Sequence, residues 1–297
     1  MRDAVAPPWM PTLPPPLDVA AGGLRWRVRA WGGFEAPPLL LLHGFGADSR
    51  VWASVAERLA DRWRVLAVDL PGHGGTTAPG PAWDLPRTAL ALAALWPLLE
   101  DRPAVVLGYS LGGRLALHLA LHAPLAGLVV VGASPGLREA AARADRLAAD
   151  RRWIARLADG LPAFWAAWDQ QPVFATRLDR PSFDRAFPDF VRGEQAPAGL
   201  AAAMAAFGLG RMAPLHDRLR ALATPTVVVA GERDEKFLAL GRDLAAALPA
   251  ATFLPAPGAG HDVPNESPDT LVRALELLSA PAGERSAASL DTKGPPR

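Results

Sequence analysis

Gly108-Tyr109-Ser110-Leu111-Gly112-Gly113 follows the apolar run Ala104-Val105-Val106-Leu107 and opens an apolar helical pattern from Arg114 to Ala123. A serine set between two glycines at the junction of a buried strand and a helix requires a sharp, strained turn. That constrains the chain to a sheet whose strands end in tight turns leading into helices. The glycines at 108 and 112 let the two arms of the turn approach without a Cβ clash. The turn lifts the Ser110 hydroxyl above the sheet and leaves the Leu111 backbone N–H free to donate to an oxyanion. Chance matches to this pattern are common, so its partners decide what it means.

A serine of this kind needs a base and a carboxylate that orients the base. In the α/β-hydrolase pattern the acid comes first in the chain and the histidine second, each on a loop after a late strand. The run Thr226-Val227-Val228-Val229-Ala230 reads as a buried strand and delivers Gly231-Glu232-Arg233-Asp234. The shorter run Thr252-Phe253-Leu254 precedes Gly258-Ala259-Gly260-His261. Asp234 is therefore the expected orienting acid and His261 the expected base. The chain has six histidines, and what selects His261 is its place between the last strand pattern and the last helix. A second oxyanion donor is expected on the loop after an early strand. Leu39-Leu40-Leu41-Leu42 leads into His43-Gly44-Phe45-Gly46, which makes the Phe45 N–H that donor.

Composition removes other classes. The formal net charge is +1 and lysine occurs only at 236 and 293, so no bulk field argues for a nucleic-acid partner, and the arginine excess reads as compositional bias. Cysteine is absent, which rules out a thiol nucleophile, thiolate metal sites and a disulfide framework. No cofactor and no metal is expected. The N-terminus lacks the basic start and apolar stretch of a signal peptide, and no segment reaches the length of a membrane span. These readings point to a cytoplasmic enzyme; its oligomeric state is not legible.

Along the chain, Met1 to Pro16 is too proline-dense to pack regularly and reads as a poorly ordered leader. Leu24 to Arg29 alternates as a half-exposed edge strand. Strands at 39–42, 64–69, 104–108 and 127–131 then alternate with helices near 49–61, 86–99 and 111–123. The fold class is α/β, a mostly parallel, doubly wound sheet, with its core in 17–132 and 218–280. From 133 to 217 the strand signal stops and an aromatic, arginine-dotted helical cap is expected. Residues 281–297 are small and polar and read as a disordered tail. Asp69-Leu70-Pro71-Gly72-His73-Gly74 reads as a turn rimming the site, with no chemical role for His73.

Several stretches resemble the menaquinone-pathway 2-succinyl-6-hydroxy-2,4-cyclohexadiene-1-carboxylate synthase family over about residues 38–280. They are Gly108 to Arg114, Gly132-Ala133-Ser134-Pro135-Gly136-Leu137, Trp168-Asp169-Gln170-Gln171-Pro172-Val173-Phe174, and Gly231 to Phe237. The Gln-Gln-Pro-Val-Phe stretch is the most specific, because it lies in the cap, where α/β-hydrolases differ most. The resemblance implies a lyase that removes pyruvate from 2-succinyl-5-enolpyruvyl-6-hydroxy-3-cyclohexene-1-carboxylate, with the triad acting as the base that abstracts a ring proton. Such a small, multiply carboxylated substrate needs cations in an otherwise apolar pocket. Arg114 lies four residues after Ser110, on the same helix face, and matches the family's substrate-binding arginine. Arg146, with Arg143 as a rival, matches a cap arginine, and Arg192 a second one. Tyr109 and Trp168 match aromatic positions lining the pocket. Two departures bear on substrate identity: Asp169 stands where an aromatic is common, and His261 is followed by Asp262-Val263-Pro264 rather than by asparagine.

Each of these residues also has a structural reading. Arg114 could be a salt-bridge partner under the elbow helix, Arg146 and Arg192 could lie on solvated helix faces, and Trp168 could be cap core. Three functions follow: the lyase, a carboxylester hydrolase such as a pimeloyl-carrier methyl esterase, and a ligand sensor that retains the triad. An esterase has no need of converging cap arginines, and a sensor has no need of an intact Asp and His.

Overall fold

The computed structural model describes residues 7–279. Eight strands, β1 (Leu17–Ala21), β2 (Leu24–Trp31), β3 (Pro38–Leu42), β4 (Arg64–Val68), β5 (Val105–Tyr109), β6 (Gly127–Val131), β7 (Thr226–Gly231) and β8 (Ala251–Ala256), form one sheet. Their order is β1-β2-β4-β3-β5-β6-β7-β8. β3 to β8 run parallel, and β2 runs antiparallel to both its neighbours. The chain leaves β3 toward β4 on one side and returns to β5 on the other. A ligand crevice opens beyond the strand ends at such a switch point. The loops that leave β3 and β5 at this point carry Phe45 and Ser110.

Every residue of β3, β6 and β7 is buried, which is why these strands read as unbroken apolar runs. β2 alternates, with Leu24, Trp26 and Val28 buried and Arg25 exposed. It is not the edge strand that this alternation suggests, because β1 pairs outside it. β1 is short, follows the proline run and buries little, so its own pattern is faint. The signal lies instead in Gly22-Gly23, whose φ values of 57° and 84° suit the two-residue hairpin turn that matches strand twist.

Helices cover both faces. α1 (Ala53–Leu59) and α12 (Pro268–Ser279) pack on one, while α2 (Leu85–Leu95), α3 (Leu111–Ala120) and α10 (Glu235–Ala247) pack on the other. The short α9 (His216–Leu219) precedes β7, and α11 (Val263–Glu266) follows β8. Asp84 caps α2 by accepting from the Arg87 N–H at 2.9 Å. Between β6 and β7 the chain makes α4 (Ala140–Arg156), α5 (Leu161–Trp168), α6 (Ala175–Asp179), α7 (Ser182–Gly193) and α8 (Pro197–Phe207). These helices lie over the strand ends around Leu157, Phe164, Leu200 and Met204, with Trp153, Trp165 and Trp168 packed against them.

Residues 7–16, within the leader read from sequence, carry no helix or strand. Trp9 nonetheless sits on Phe190 of α7, with ring centroids 5.7 Å apart, and the Arg29 guanidinium donates to the Pro14 carbonyl. The tail at 281–297 lies outside the described residues.

Candidate active site

Ser110 has φ 53° and ψ −106° and is the one non-glycine with positive φ among the described residues. Such a conformation costs about 1–3 kcal/mol and persists only where its surroundings over-determine it. Here the Ser110 N–H donates to the Val131 carbonyl at 2.8 Å and the Gly112 N–H to the His43 carbonyl at 3.0 Å. A Cβ on Gly108 would stand 2.4 Å from the Gly112 oxygen, and one on Gly112 only 2.1 Å from the Leu42 oxygen. Both glycines are therefore steric requirements of the elbow.

His261 Nδ1 lies 2.8 Å from Asp234 Oδ2, and its Nε2 lies 3.2 Å from Ser110 Oγ. A carboxylate only accepts, so Nδ1 carries the proton toward Asp234, and Nε2 accepts from the Ser110 hydroxyl. His261 and Asp234 are buried. The other Asp234 oxygen accepts from the Phe237 N–H at 3.2 Å, so the acid also caps α10.

The backbone N–H groups of Phe45 and Leu111 donate to no acceptor among the described residues, and both residues line the cleft that holds Ser110. The Phe45 N–H is aimed by a fixed peptide. Gly44 C=O, in the same planar unit, lies 2.7 Å from His43 Nδ1. The Leu70 N–H donates to His43 Nε2 at 2.8 Å, which leaves Nδ1 as the donor to Gly44. Burial and the neighbouring His43 push the His73 pKa down to about 3, and its ring meets the Phe45 ring edge-on at 5.4 Å. His73 thus supports the loop as a neutral group, in keeping with the sequence reading.

The Ser110 cleft also takes in Arg114, Arg146, Asp150, Trp168 and Phe207. Arg114 donates to the Phe207 carbonyl at 2.6 Å and forms no ion pair among the described residues. Burial, with Arg146 nearby, pushes its pKa down to about 10. Arg114 thus forms no salt bridge here, and its half-buried guanidinium lines the same cleft as Ser110. Arg146 donates to Asp150 Oδ1 at 2.7 Å, one helical turn on, while Asp150 Oδ2 has no partner. Arg143 points elsewhere and donates to the Leu137 and Arg138 carbonyls. Of the two, Arg146 lines the Ser110 cleft and Arg143 does not.

Arg192 and Tyr109 are not in this cleft. They line an adjoining cavity with Arg177, Asp169 and Asn265, behind a wall made by Phe45 and Trp168, whose ring centroids are 5.3 Å apart. Trp168 borders both spaces. Arg192 is held by Asp169 at 2.8 and 3.2 Å and stacks 4.1 Å over the Trp165 ring. It is neither solvated nor free. Asp169 also pairs with Arg177 at 3.3 Å, which gives the departure at position 169 a physical role. Asp150, which the sequence reading missed, had a usable signal in its i,i+4 spacing from Arg146; Arg177 had none.

A strained serine elbow with an aligned His and Asp, on a sheet of this order, defines an α/β-hydrolase fold. The alpha/beta hydrolase family model matches residues 39–274. A 2-succinyl-6-hydroxy-2,4-cyclohexadiene-1-carboxylate synthase from Salmonella agona is 38% identical over 82% of this chain and 94% of its own. One of the same name from Escherichia coli is 37% identical over 82% and 93%. The structure of MenH from S. aureus superposes with TM-score 0.80 at 27% identity, covering 86% of this chain and 99% of that one. The chain belongs to the alpha/beta hydrolase family and, within it, to the 2-succinyl-6-hydroxy-2,4-cyclohexadiene-1-carboxylate synthases.

Proposed function

We propose that this enzyme is a carbon–oxygen lyase of menaquinone biosynthesis that eliminates pyruvate from 2-succinyl-5-enolpyruvyl-6-hydroxy-3-cyclohexene-1-carboxylate. The observation that carries the reading is the Arg114 guanidinium, half-buried without a carboxylate partner in the cleft that contains Ser110. A neutral ester offers such a group no counter-charge, whereas a substrate carboxylate satisfies it with charge-assisted hydrogen bonds. Arg146, which meets Asp150 through its Nε alone, keeps its other N–H groups for a second substrate contact.

The bond changes follow from substrate and product. A 3-ene becomes a 2,4-diene when the ring loses the hydrogen on C2 and the C5–O bond breaks. C2 bears the succinyl carbonyl, so its hydrogen is acidified and the developing charge falls on the carbonyl oxygen. His261 takes the Ser110 proton, and Ser110 takes the C2 proton. The electron pair moves through C3=C4 and expels pyruvate as its enolate, which recovers the proton from the serine–histidine pair. Phe45 and Leu111 donate to the enolate oxygen; one such preorganised donor is worth about 2.7–4 kcal/mol. Asp234 holds the imidazole tautomer and stabilises its protonated form. Trp168 shapes the pocket, while Tyr109 and Arg192 lie beyond the Phe45–Trp168 wall, where Asp169 occupies the guanidinium. A multiply charged substrate crosses lipid poorly, which supports a cytoplasmic location. No helix among the described residues is long and apolar enough to cross a membrane.

The test is release of pyruvate from the enolpyruvyl substrate, run beside a panel of p-nitrophenyl esters. Rapid pyruvate release with slow ester turnover is expected. Ester turnover without pyruvate would move the assignment to a carboxylesterase.

A further inference from the structure

Glu266, the last residue of α11, joins two parts of the molecule that the reaction must keep in register. Its Oε2 accepts the Gly260 N–H at 2.5 Å, and its Oε1 accepts the Thr176 hydroxyl at 2.9 Å. Gly260 immediately precedes the base, and Thr176 lies on α6 in the cap. The peptide unit between Ala259 and Gly260 is gripped on both sides. Its N–H goes to Glu266, while its C=O accepts the Arg233 N–H at 2.8 Å, one residue before Asp234. A planar peptide with both polar groups engaged cannot rotate freely, and His261 follows directly.

The cap lies close over this loop. A Cβ on Gly260 would stand 1.9 Å from the Thr176 hydroxyl oxygen. Phe174, just before α6, places its ring centroid 6.0 Å from that of His261. On the other side of Thr176, Arg177 pairs with Asp169, the neighbour of Trp168 in the Ser110 cleft. A short covalent and ionic path therefore runs from the substrate-facing cap through Thr176 and Glu266 to the base.

We propose that Glu266 is a positioning residue that locks the His261 loop to the Asp234 loop and to the cap, so that a seated cap and an aligned imidazole go together. The inference rests on the reading of Ser110, His261 and Asp234 as a working triad. A carboxylate accepts both donors at once; a glutamine keeps the Gly260 bond through its oxygen and can reverse the Thr176 bond through its N–H, whereas Glu266→Leu removes both acceptors. Thr176→Val removes only the cap arm, and Thr176→Ser keeps it.

The experiment is steady-state pyruvate release by Glu266→Leu, Thr176→Val and Thr176→Ser. Proton NMR of the downfield His261–Asp234 resonance accompanies it, with His261→Ala used to identify that signal. Misplacement of a reacting group by about 1 Å can cost about 10²-fold, so kcat should fall about 10- to 100-fold in Glu266→Leu while KM stays within about twofold. The resonance should shift or broaden. Thr176→Val should lose less, and Thr176→Ser should recover most of that loss. A folded Glu266→Leu enzyme with wild-type kcat and an unmoved resonance overturns the proposal. If Glu266→Leu does not fold, the threonine pair decides: equal activities of Thr176→Val and Thr176→Ser also overturn it. Activity that survives in Ser110→Ala and His261→Ala would instead overturn the triad reading.

Discussion

Two pairs of arginines flank the wall made by Phe45 and Trp168, and they differ in what neutralises them. On the Ser110 side, Arg114 has only a carbonyl partner and Arg146 shares one oxygen of Asp150. On the other side, Arg177 and Arg192 converge on Asp169, and Asp189 adds a second carboxylate. The same residue type thus lacks a full complement of carboxylates in one cavity and is part of a closed ionic cluster in the other. Withdrawing a guanidinium from water without a carboxylate is costly unless a ligand supplies one.

Removing chemistry from the first side should have the largest effect. Ser110→Ala and His261→Ala are each expected to lose about 10²- to 10⁴-fold in pyruvate release, and the double variant little more, because the members of a triad act as a unit. Steady-state rates check this, and multiplicative losses would count against a shared triad. The closed cluster should respond in stability instead. Asp169→Asn leaves two buried guanidinium groups short of a carboxylate, and breaking such a pair costs about 3–5 kcal/mol. Denaturant unfolding should show the loss while the folded variant keeps its KM. A rise in KM with unchanged stability would make the second cavity part of the binding site.

Arg114→Ala should lose about 2–5 kcal/mol of transition-state binding, and Arg114→Lys, without the planar fork, should recover only part. Turnover of a neutral aryl ester should barely change. Equal losses on both substrates would mean that the substitution had merely damaged the elbow.

Acid should act on the fold rather than on either arginine pair. Burial depresses His118 to about 4 and His73 to about 3. Hydrogen bonds from Arg102, ahead of those from Arg64, hold Glu100 at about 2. Each folded-state pKa lies below its unfolded value, so each contribution is complete above the unfolded pKa and is lost as pH falls toward the folded one. The histidine contributions should fade below about pH 6.5 and that of Glu100 below about pH 4.5. A melting series from pH 8 to pH 3 should decline in those two windows, and His118→Leu should flatten the first. A profile that stays flat down to pH 5 would contradict these shifts.

The convergence of Ser110, His261 and Asp234 was legible because each sits on a loop at the end of an apolar strand, where pattern and chain order locate it without knowledge of packing. The helical cap was legible from the loss of strand period. Position in space was harder. Arg143 and Arg146 lie on the same helix three residues apart, so their side chains point in neighbouring directions, and only the carbonyls of Leu137 and Arg138 divert the first. Arg192 lies in the adjoining cavity because Asp169 and the Trp165 ring hold it there, contacts that span many residues of sequence. The β1 hairpin was hidden by the shortness of a strand that buries little, although its two glycines carried the turn.

In the proposed elimination Ser110 relays a proton and never carries an acyl group. Intact-protein mass under single-turnover conditions with the enolpyruvyl substrate tests this most directly, with pyruvate measured in the same samples. An unmodified enzyme mass is expected at every time point while pyruvate accumulates to one equivalent. An adduct on Ser110 that forms and decays as pyruvate appears would contradict it and return the enzyme to the acyl-transfer chemistry of its fold.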